Sequence, residues 1–167
     1  MISTKRLTIN HWTPADAGAF FELSQDEGFN LFPINVYCQS SLEGAQEWVQ
    51  KASLMNQQTG LGKFSVWDKS HSLLGMGGLT PWTWEGEELI DITYRLRQSA
   101  WGKGYGMELA ESLVEYGFGE AGLTQITATI TPDNHASKKI AERLGLKYDR
   151  RIQLQGVPTD LYRLYRD

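Results

Sequence analysis

The stretch YRLRQSAWGKGYGMELAESL narrows the possible folds more than any other in the chain. Three glycines at alternate positions, Gly102, Gly104 and Gly106, join a strand-like segment to a helical one. Before them, LIDITYRLR (Leu89 to Arg97) reads as a strand. After them, the helix from Met107 places Leu109, Ala110, Leu113, Val114 and Phe118 on one face, with Gly122 as its terminator. A dinucleotide fingerprint requires G-x-G-x-x-G inside a βαβ unit; here Met107 fills the sixth place and antiparallel-looking strands come first. A Walker loop requires Ser or Thr after its lysine, whereas Gly104 follows Lys103. Two readings stay open on these residues: a cradle of backbone N–H groups for the pyrophosphate of another nucleotide cofactor, or a tight turn that binds nothing.

Around this unit the 167 residues show no repeat, low-complexity tract or linker, and their number suits one domain over 1–167. LTIN, from Leu7, reads as a strand. TPADAGAFFEL reads as a helix capped by Thr13 with Pro14 at its first position, and SSLEGAQEWVQKASLMNQQ (Ser40 to Gln58) as a second, capped by Ser41. KFSVWD from Lys63 and LLGMGGLT from Leu73 alternate as strands around the DKSHS turn, and PWTWEGEE reads as a loop. TQITATIT (Thr124 to Thr131) is a strand, followed by a helix from about His135 to Leu144 stopped by Gly145. Two closing strands flank a Gly156–Pro158 turn. The order of elements implies a mixed α/β or α+β sheet.

Composition excludes several function classes. A net charge of -4, with no Lys/Arg cluster longer than Lys138-Lys139, leaves no footprint for nucleic acid. No apolar run approaches the ~20 residues of a membrane span, and the opening MISTKRLTINHW lacks the apolar stretch of a signal peptide, so the expected location is cytoplasmic. Cys38 is the one cysteine and the three histidines form no metal set, so no disulfide framework and no metal are expected.

A second motif follows the glycine loop. TPDNHASKKIAERLGLKY sets Asn134 and Ser137 three apart at a helix start, a spacing that an ordinary N-cap also explains. Taken with TKRLTINHWTPADAGAFFEL, KFSVWDKSHSLLGMGGL and LIDITYRLRQSAWGKGYGMELAESLVEYGF, it resembles the GNAT superfamily of acyl-CoA-dependent N-acetyltransferases. The likeness is nearest to the branch of ribosomal-protein N-terminal and spermidine acetyltransferases, in which Trp commonly opens the loop, as Trp101 does here. The four segments come in that family's order and cover nearly the whole chain.

The resemblance implies a mostly antiparallel central sheet with a splayed, V-shaped opening flanked by about four helices. It implies that acetyl-CoA pairs with the strand Tyr94, Arg95 and Leu96, its pyrophosphate on the loop Trp101, Gly102, Lys103, Gly104, Tyr105 and Gly106. Asn134 and Ser137 would reach the pantetheine and thiol end. Acetyl would pass directly, in a ternary complex, to a primary amine on a protein N-terminus, a polyamine or a small molecule. Such an amine must lose a proton, for which Asp91 is the candidate base and Glu85 its competitor. A backbone N–H of Tyr94 to Leu96 would face the oxyanion. Many family members protonate the thiolate with a tyrosine four residues beyond the Ser137 position. That place is Ala141 here, leaving Ser137 as the candidate acid and Tyr148 as a fallback. Trp84 and Glu85 are candidate acceptor contacts, with Trp82, Phe29, Phe32 and Tyr37 as possible pocket walls or a satellite core. The missing tyrosine also allows a non-catalytic acyl-CoA sensor. The expected assembly is a monomer or homodimer.

Overall fold

Period-two patterning in the middle of the chain becomes a meander, and helices fill its two faces. The computed structural model describes residues 1–33 and 35–167. In chain order the elements are β1 (Ile2–Ser3), β2 (Leu7–Asn10), α1 (Ala17–Leu23), α2 (Leu42–Thr59), β3 (Gly62–Asp68), β4 (Leu73–Trp84) and β5 (Glu87–Leu96). There follow α3 (Tyr105–Phe118), β6 (Gln125–Ile130), α4 (His135–Arg143), β7 (Lys147–Leu154) and β8 (Val157–Tyr165). The strands form one sheet in the order β1-β2-β3-β4-β5-β6-β8-β7. Every pairing is antiparallel except β5 with β6. The mixed, mostly antiparallel sheet with four α-helices among the described residues matches the expected fold class.

Local chemistry explains most boundaries. Ser41 Oγ accepts the Gly44 N–H at 3.0 Å and starts α2, and Gly60 ends it at φ 67°. Thr13 and Asp16 form a reciprocal capping box over a 3-10 turn at Pro14–Asp16, so the first predicted helix becomes α-helical only at Ala17. β1 has only two residues and no periodicity to announce it.

Two boundaries differ from expectation in ways that matter for the site. PWTWEGEE is not a loop: β4 continues to Trp84, Glu85 and Gly86 turn at φ 48° and 80°, and β5 resumes at Glu87. Positive φ at both central residues is the tight hairpin geometry whose twist suits the flanking strands. Pro81 is tolerated because β3 pairs with β4 only as far as Leu79, so Pro81 borders no strand on that side. The second difference is at α3, which begins at Tyr105 rather than Met107. The glycine loop therefore forms the helix's first turn.

Apolar residues divide between the two faces of the sheet. Leu109 and Leu113 of α3 pack with Leu7, Leu79, Ile92 and Ile126 of the sheet; Phe20 of α1 and Val49 of α2 pack with Trp12, Phe29 and Met76 in a second cluster. Trp12 and Phe20 are fully buried, each stabilising the fold by about 1.5–3 kcal/mol. α3 sits close on β4 because a Cβ at Gly77 would stand 2.9 Å from Leu109 Cδ1. No helix among the described residues is long and apolar enough to cross a membrane.

Candidate active site

The chemistry concentrates where β5 meets β6. The two run parallel, yet a single residue pair, Asp91 opposite Thr127, is in ladder register. Beyond it β5 continues to Leu96 and β6 to Ile130 without further pairing, which leaves the expected V with Asp91 at its vertex. Thr129 Oγ1 donates to Asp91 Oδ2 at 2.8 Å, and Thr127 Oγ1 lies 3.0 Å from Oδ1 and 3.1 Å from the Ile90 carbonyl. Trp82 reaches from β4 across β5 and donates its indole N–H to Thr127 Oγ1 at 3.2 Å. Burial pushes the Asp91 carboxyl up to about 7, against the lowering pull of the two threonine hydroxyls and the Lys63 charge. A carboxylate balanced near neutrality is suited to take and release a proton at working pH.

On the α4 side of the V, Ser137 Oγ donates to Tyr94 Oη at 3.0 Å, and the Tyr94 hydroxyl donates to the Ser137 carbonyl at 3.0 Å. Burial drives the Tyr94 phenol up to about 12, so it remains protonated. Asn134 caps α4, its Oδ1 accepting the Ser137 N–H at 3.2 Å. Ala141 is fully buried in the core. Tyr94 was expected for its backbone alone; its side chain bridges the opening to Ser137. Tyr148 is 57% exposed, with its ring 5.7 Å from that of Tyr162.

The glycine loop lies at the far end of β5. Gly102 and Gly104 have φ of 72° and 80°, a region that L side chains rarely enter. A Cβ on Gly102 would meet nothing within 4 Å, so the backbone conformation and open space, not crowding, call for glycine there. Gly106 approaches α4, where a Cβ would lie 3.1 Å from Ile140 Cδ1. The N–H groups of Tyr105, Gly106 and Met107 precede the first helical bond, Glu108 N–H to the Gly104 carbonyl. Those amides and the positive end of the helix dipole make the loop a site for an anion. Lys103 is exposed beside it.

Two residues that sequence reasoning missed hold this loop. Arg6, from the turn between β1 and β2, donates through Nη1 to the Lys103 carbonyl at 2.7 Å, through Nε to Glu108 Oε2 at 2.6 Å, and stacks over the Tyr105 ring at 4.5 Å. Glu108 also accepts from Thr4 Oγ1 and from the Arg6 backbone N–H. Burial opposes Glu108 ionisation, but these bonds and the Arg6 charge together hold its carboxyl below the usual range. About a hundred residues separate the partners, so no local spacing signals them.

The other predicted residues have well-defined places. Trp101 donates its indole N–H to the Leu96 carbonyl at 3.0 Å, and a Cβ on Gly28 would stand 2.8 Å from its ring. Leu96 is buried. The Arg95 side chain turns to the opposite face, bonding the Phe29 carbonyl at 2.7 Å and the Phe32 carbonyl, with its guanidinium 4.9 Å from the Tyr37 ring centre. Phe29 is wholly buried in the core under α1 and α2, with Tyr37 packed against it. Trp82 and Trp84 lie 6.2 Å apart, and the buried Trp84 Nε1 has no hydrogen-bond partner among the described residues. Glu85 is exposed at the hairpin tip, so the structure does not bring it to Asp91. No group of three metal-ligating side chains stands together among the described residues.

Known proteins resemble this chain in sequence and in fold. The family model described as the acetyltransferase (GNAT) domain matches residues 6–147. YkkB of Bacillus subtilis is 30% identical over 118 residues, 70% of this chain and 69% of its own; its function is uncharacterised. YnaD of the same organism, named an uncharacterised N-acetyltransferase, is 29% identical over 147 residues, 87% of this chain and 82% of its own. Among solved structures, RimL, a ribosomal alpha-N-protein acetyltransferase in complex with coenzyme A, superposes with a TM-score of 0.81 at 17% identity, covering 97% of this chain and 95% of that one. At such identity the likeness bears on fold alone. The family match, on the splayed strands and glycine loop described above, shows that the chain belongs to the GNAT family of acetyl-CoA-dependent acetyltransferases.

Proposed function

We propose that the protein transfers acetyl from acetyl-CoA to a primary amine by direct attack within a ternary complex, with Asp91 as the base. One observation carries the reading: a carboxyl held by two threonine hydroxyls sits at the vertex of the V, on the strand that leads into the glycine loop, where burial pushes it up to about 7. The open, positive-φ Gly102 and the helix-start amides fit a pyrophosphate, and coenzyme A is bound by the RimL relative. When bound, acetyl-CoA supplies the activated acyl group. The amides of Gly102 to Gly106 hold its phosphates, with Lys103 alongside. The Arg97 N–H bonds the Leu74 carbonyl of β4, so by alternation the N–H groups of Tyr94 and Leu96 point to the open side, where they would meet the pantetheine and the acyl oxygen.

An acceptor ammonium must be deprotonated before it can attack, because lysine-type amines ionise near 10.4 and α-amines near 8. Asp91 receives that proton; Thr127 and Thr129 orient its two oxygens. At the other side of the V, the Ser137 hydroxyl rests on Tyr94 Oη; turned toward the departing sulfur, it would give that sulfur its proton and regain one from the Tyr94 hydroxyl, which solvent replenishes. Cys38 is exposed and outside the loop and the vertex, which favours direct transfer over an acyl-enzyme. Titration calorimetry with acetyl-CoA, paired with thiol release over a panel of amines, tests the proposal. Binding with release only in the presence of an amine is the expected result. Binding without turnover of any amine would establish a sensor instead.

A further inference from the structure

The face of the sheet that carries Asp91 also carries an ammonium that forms no ion pair among the described residues. Lys63 on β3 stands opposite Gly78 on β4, and Gly78 opposite Thr93 on β5, so all three share that face. Two residues along, Thr80 stands opposite Asp91. The Lys63 side chain leans toward this second row, and its Nζ donates to Thr80 Oγ1 at 3.2 Å. No carboxylate among the described residues lies within ion-pair distance of Nζ. The Tyr37 ring lies 5.7 Å from Nζ, and its centroid is also 4.9 Å from the Arg95 guanidinium.

Charge on this face is thus unequal. Arg95 is largely buried and bonded to two neutral carbonyls, and burial makes its ionisation harder. Asp91 faces the pair, but both its oxygens are engaged by threonine hydroxyls. Arg163 stands further along the face, opposite Thr127, with its charge met by Glu87 and Asp149. Glu85 is exposed at the hairpin tip, five residues beyond Thr80 and about 17 Å away along the strand direction. Lys63 is therefore a half-buried cation hydrogen-bonded to one hydroxyl, near the Tyr37 ring and within reach of the Asp91 charge but in ion-pair contact with no carboxylate among the described residues. An acceptor bearing a second positive charge, such as a polyamine, would bring that charge against Lys63 and Arg95. An acceptor bearing an anion would give Lys63 the partner the fold withholds.

Distance limits where that anion can be. Thr80 and Asp91 are cross-strand neighbours, whose Cβ atoms lie about 5 Å apart. An amine held at Asp91 and an anion held at Lys63 and Thr80 must be separated by one or two carbons. Resting on the transfer reaction proposed above, we infer that the acceptor is a small amine with an adjacent carboxylate, a free α-amino acid or close analogue, and that Lys63 with Thr80 binds its carboxylate.

The test compares each of several amino acids with its own C-terminal amide. The two have nearly the same shape, but the amide has lost the negative charge and carries an amine that is easier to deprotonate. Any preference for the acid then cannot come from amine ionisation. The expected kcat/KM favours the acid by about tenfold or more, as a charge-assisted bond would give. Lys63→Met keeps the aliphatic stem and should narrow the ratio to near one, whereas Lys63→Arg should retain most of it. Acetyl-CoA titration of each variant gives its folded fraction. Equal rates on acid and amide, a preference for spermidine, or a Lys63→Met variant that slows both members of each pair equally would overturn the inference and leave the amine-transfer reading standing. Binding of acetyl-CoA with no turnover of any amine would overturn that reading, and this one with it.

Discussion

Replacing Asp91 by Asn should make the protein slower and, at alkaline pH, more stable. The folded protein holds this carboxyl near 7, against an ordinary aspartate value of 3.8, because burial disfavours its charge. Between those two values the folded state binds a proton that the unfolded state has released. Stability contributed by the neutral carboxyl is therefore full at low pH, falls as pH rises from about 4 to 7, and is lost above 7. A displacement of that size corresponds to about 4 kcal/mol, an upper bound on what a neutral isostere could recover at pH 8. Asparagine recovers less, because its Nδ2 must find an acceptor where Thr127 or Thr129 now donates. A gain of about 2 kcal/mol at pH 8 is reasonable, which raises Tm by about 4–8 °C for a chain this long. At pH 4 the parent carboxyl is already neutral in the fold, so only the poorer pairing of asparagine is left and the variant should melt below the parent, by about 2 kcal/mol of stability. Turnover of Asp91→Asn should drop by roughly 10²–10⁴, the usual contribution of a general base. Thermal melts at pH 4 and pH 8 with thiol release at pH 8 measure both effects. A Tm difference independent of pH, or turnover within threefold of the parent, would refute the assignment of Asp91 as a buried, ionising base.

Three further outcomes follow from the site's geometry. Gly104→Val should abolish acetyl-CoA binding by calorimetry while far-UV circular dichroism persists, since φ 80° excludes a β-branched side chain and a Cβ there already stands 3.3 Å from Arg6 Nη2; unchanged affinity would refute the phosphate cradle. Ser137→Ala should lower kcat more than acetyl-CoA affinity, and Tyr94→Phe should do the same by releasing the Ser137 hydroxyl; equal activity in both would reduce the pair to packing and capping. Arg6→Ala should cost about 1–3 kcal/mol in urea denaturation at pH 7, the range for losing charge-assisted bonds. Because Glu108 is held below its usual range, that contribution is present above about pH 4.5 and fades as pH falls, so the deficit should shrink at pH 3.

What the chain disclosed in advance follows the reach of each interaction. Strands, helices, the Ser41 cap and the glycine loop are local patterns and were legible to within a few residues. PWTWEGEE misled because Pro81 and Gly86 are ordinary loop signals, and only the end of β3 at Gly62, a fact of register, frees Pro81 to lie in a strand. Asp91 could be named as a carboxylate on an alternating strand. Its behaviour could not, because that depends on Trp82 crossing β5 and on two threonines of a parallel neighbour more than thirty residues away. Arg6 and Lys63 were unremarkable in sequence for the same reason. Their roles arise from strand order, which places Lys63 beside Thr80 and Arg6 beside the loop.

The single rung between β5 and β6 also bears on how the molecule comes apart. A continuous sheet transmits cooperativity through its ladder, but here the ladder nearly stops, leaving β1 to β5 on one side and β6, β8 and β7 on the other. What joins them is α3 and α4, packed across the gap, the hydroxyl bridge from Tyr94 to Ser137, and a few side-chain links: Asp91 to Thr127 and Thr129, Trp82 to Thr127, and Glu87 to Arg163. The seam is thus a natural boundary between two units of opening, each with its own resistance to hydrogen exchange. A ligand lodged in the opening touches both units at once, so its binding tightens the molecule as a whole and not merely the residues it contacts.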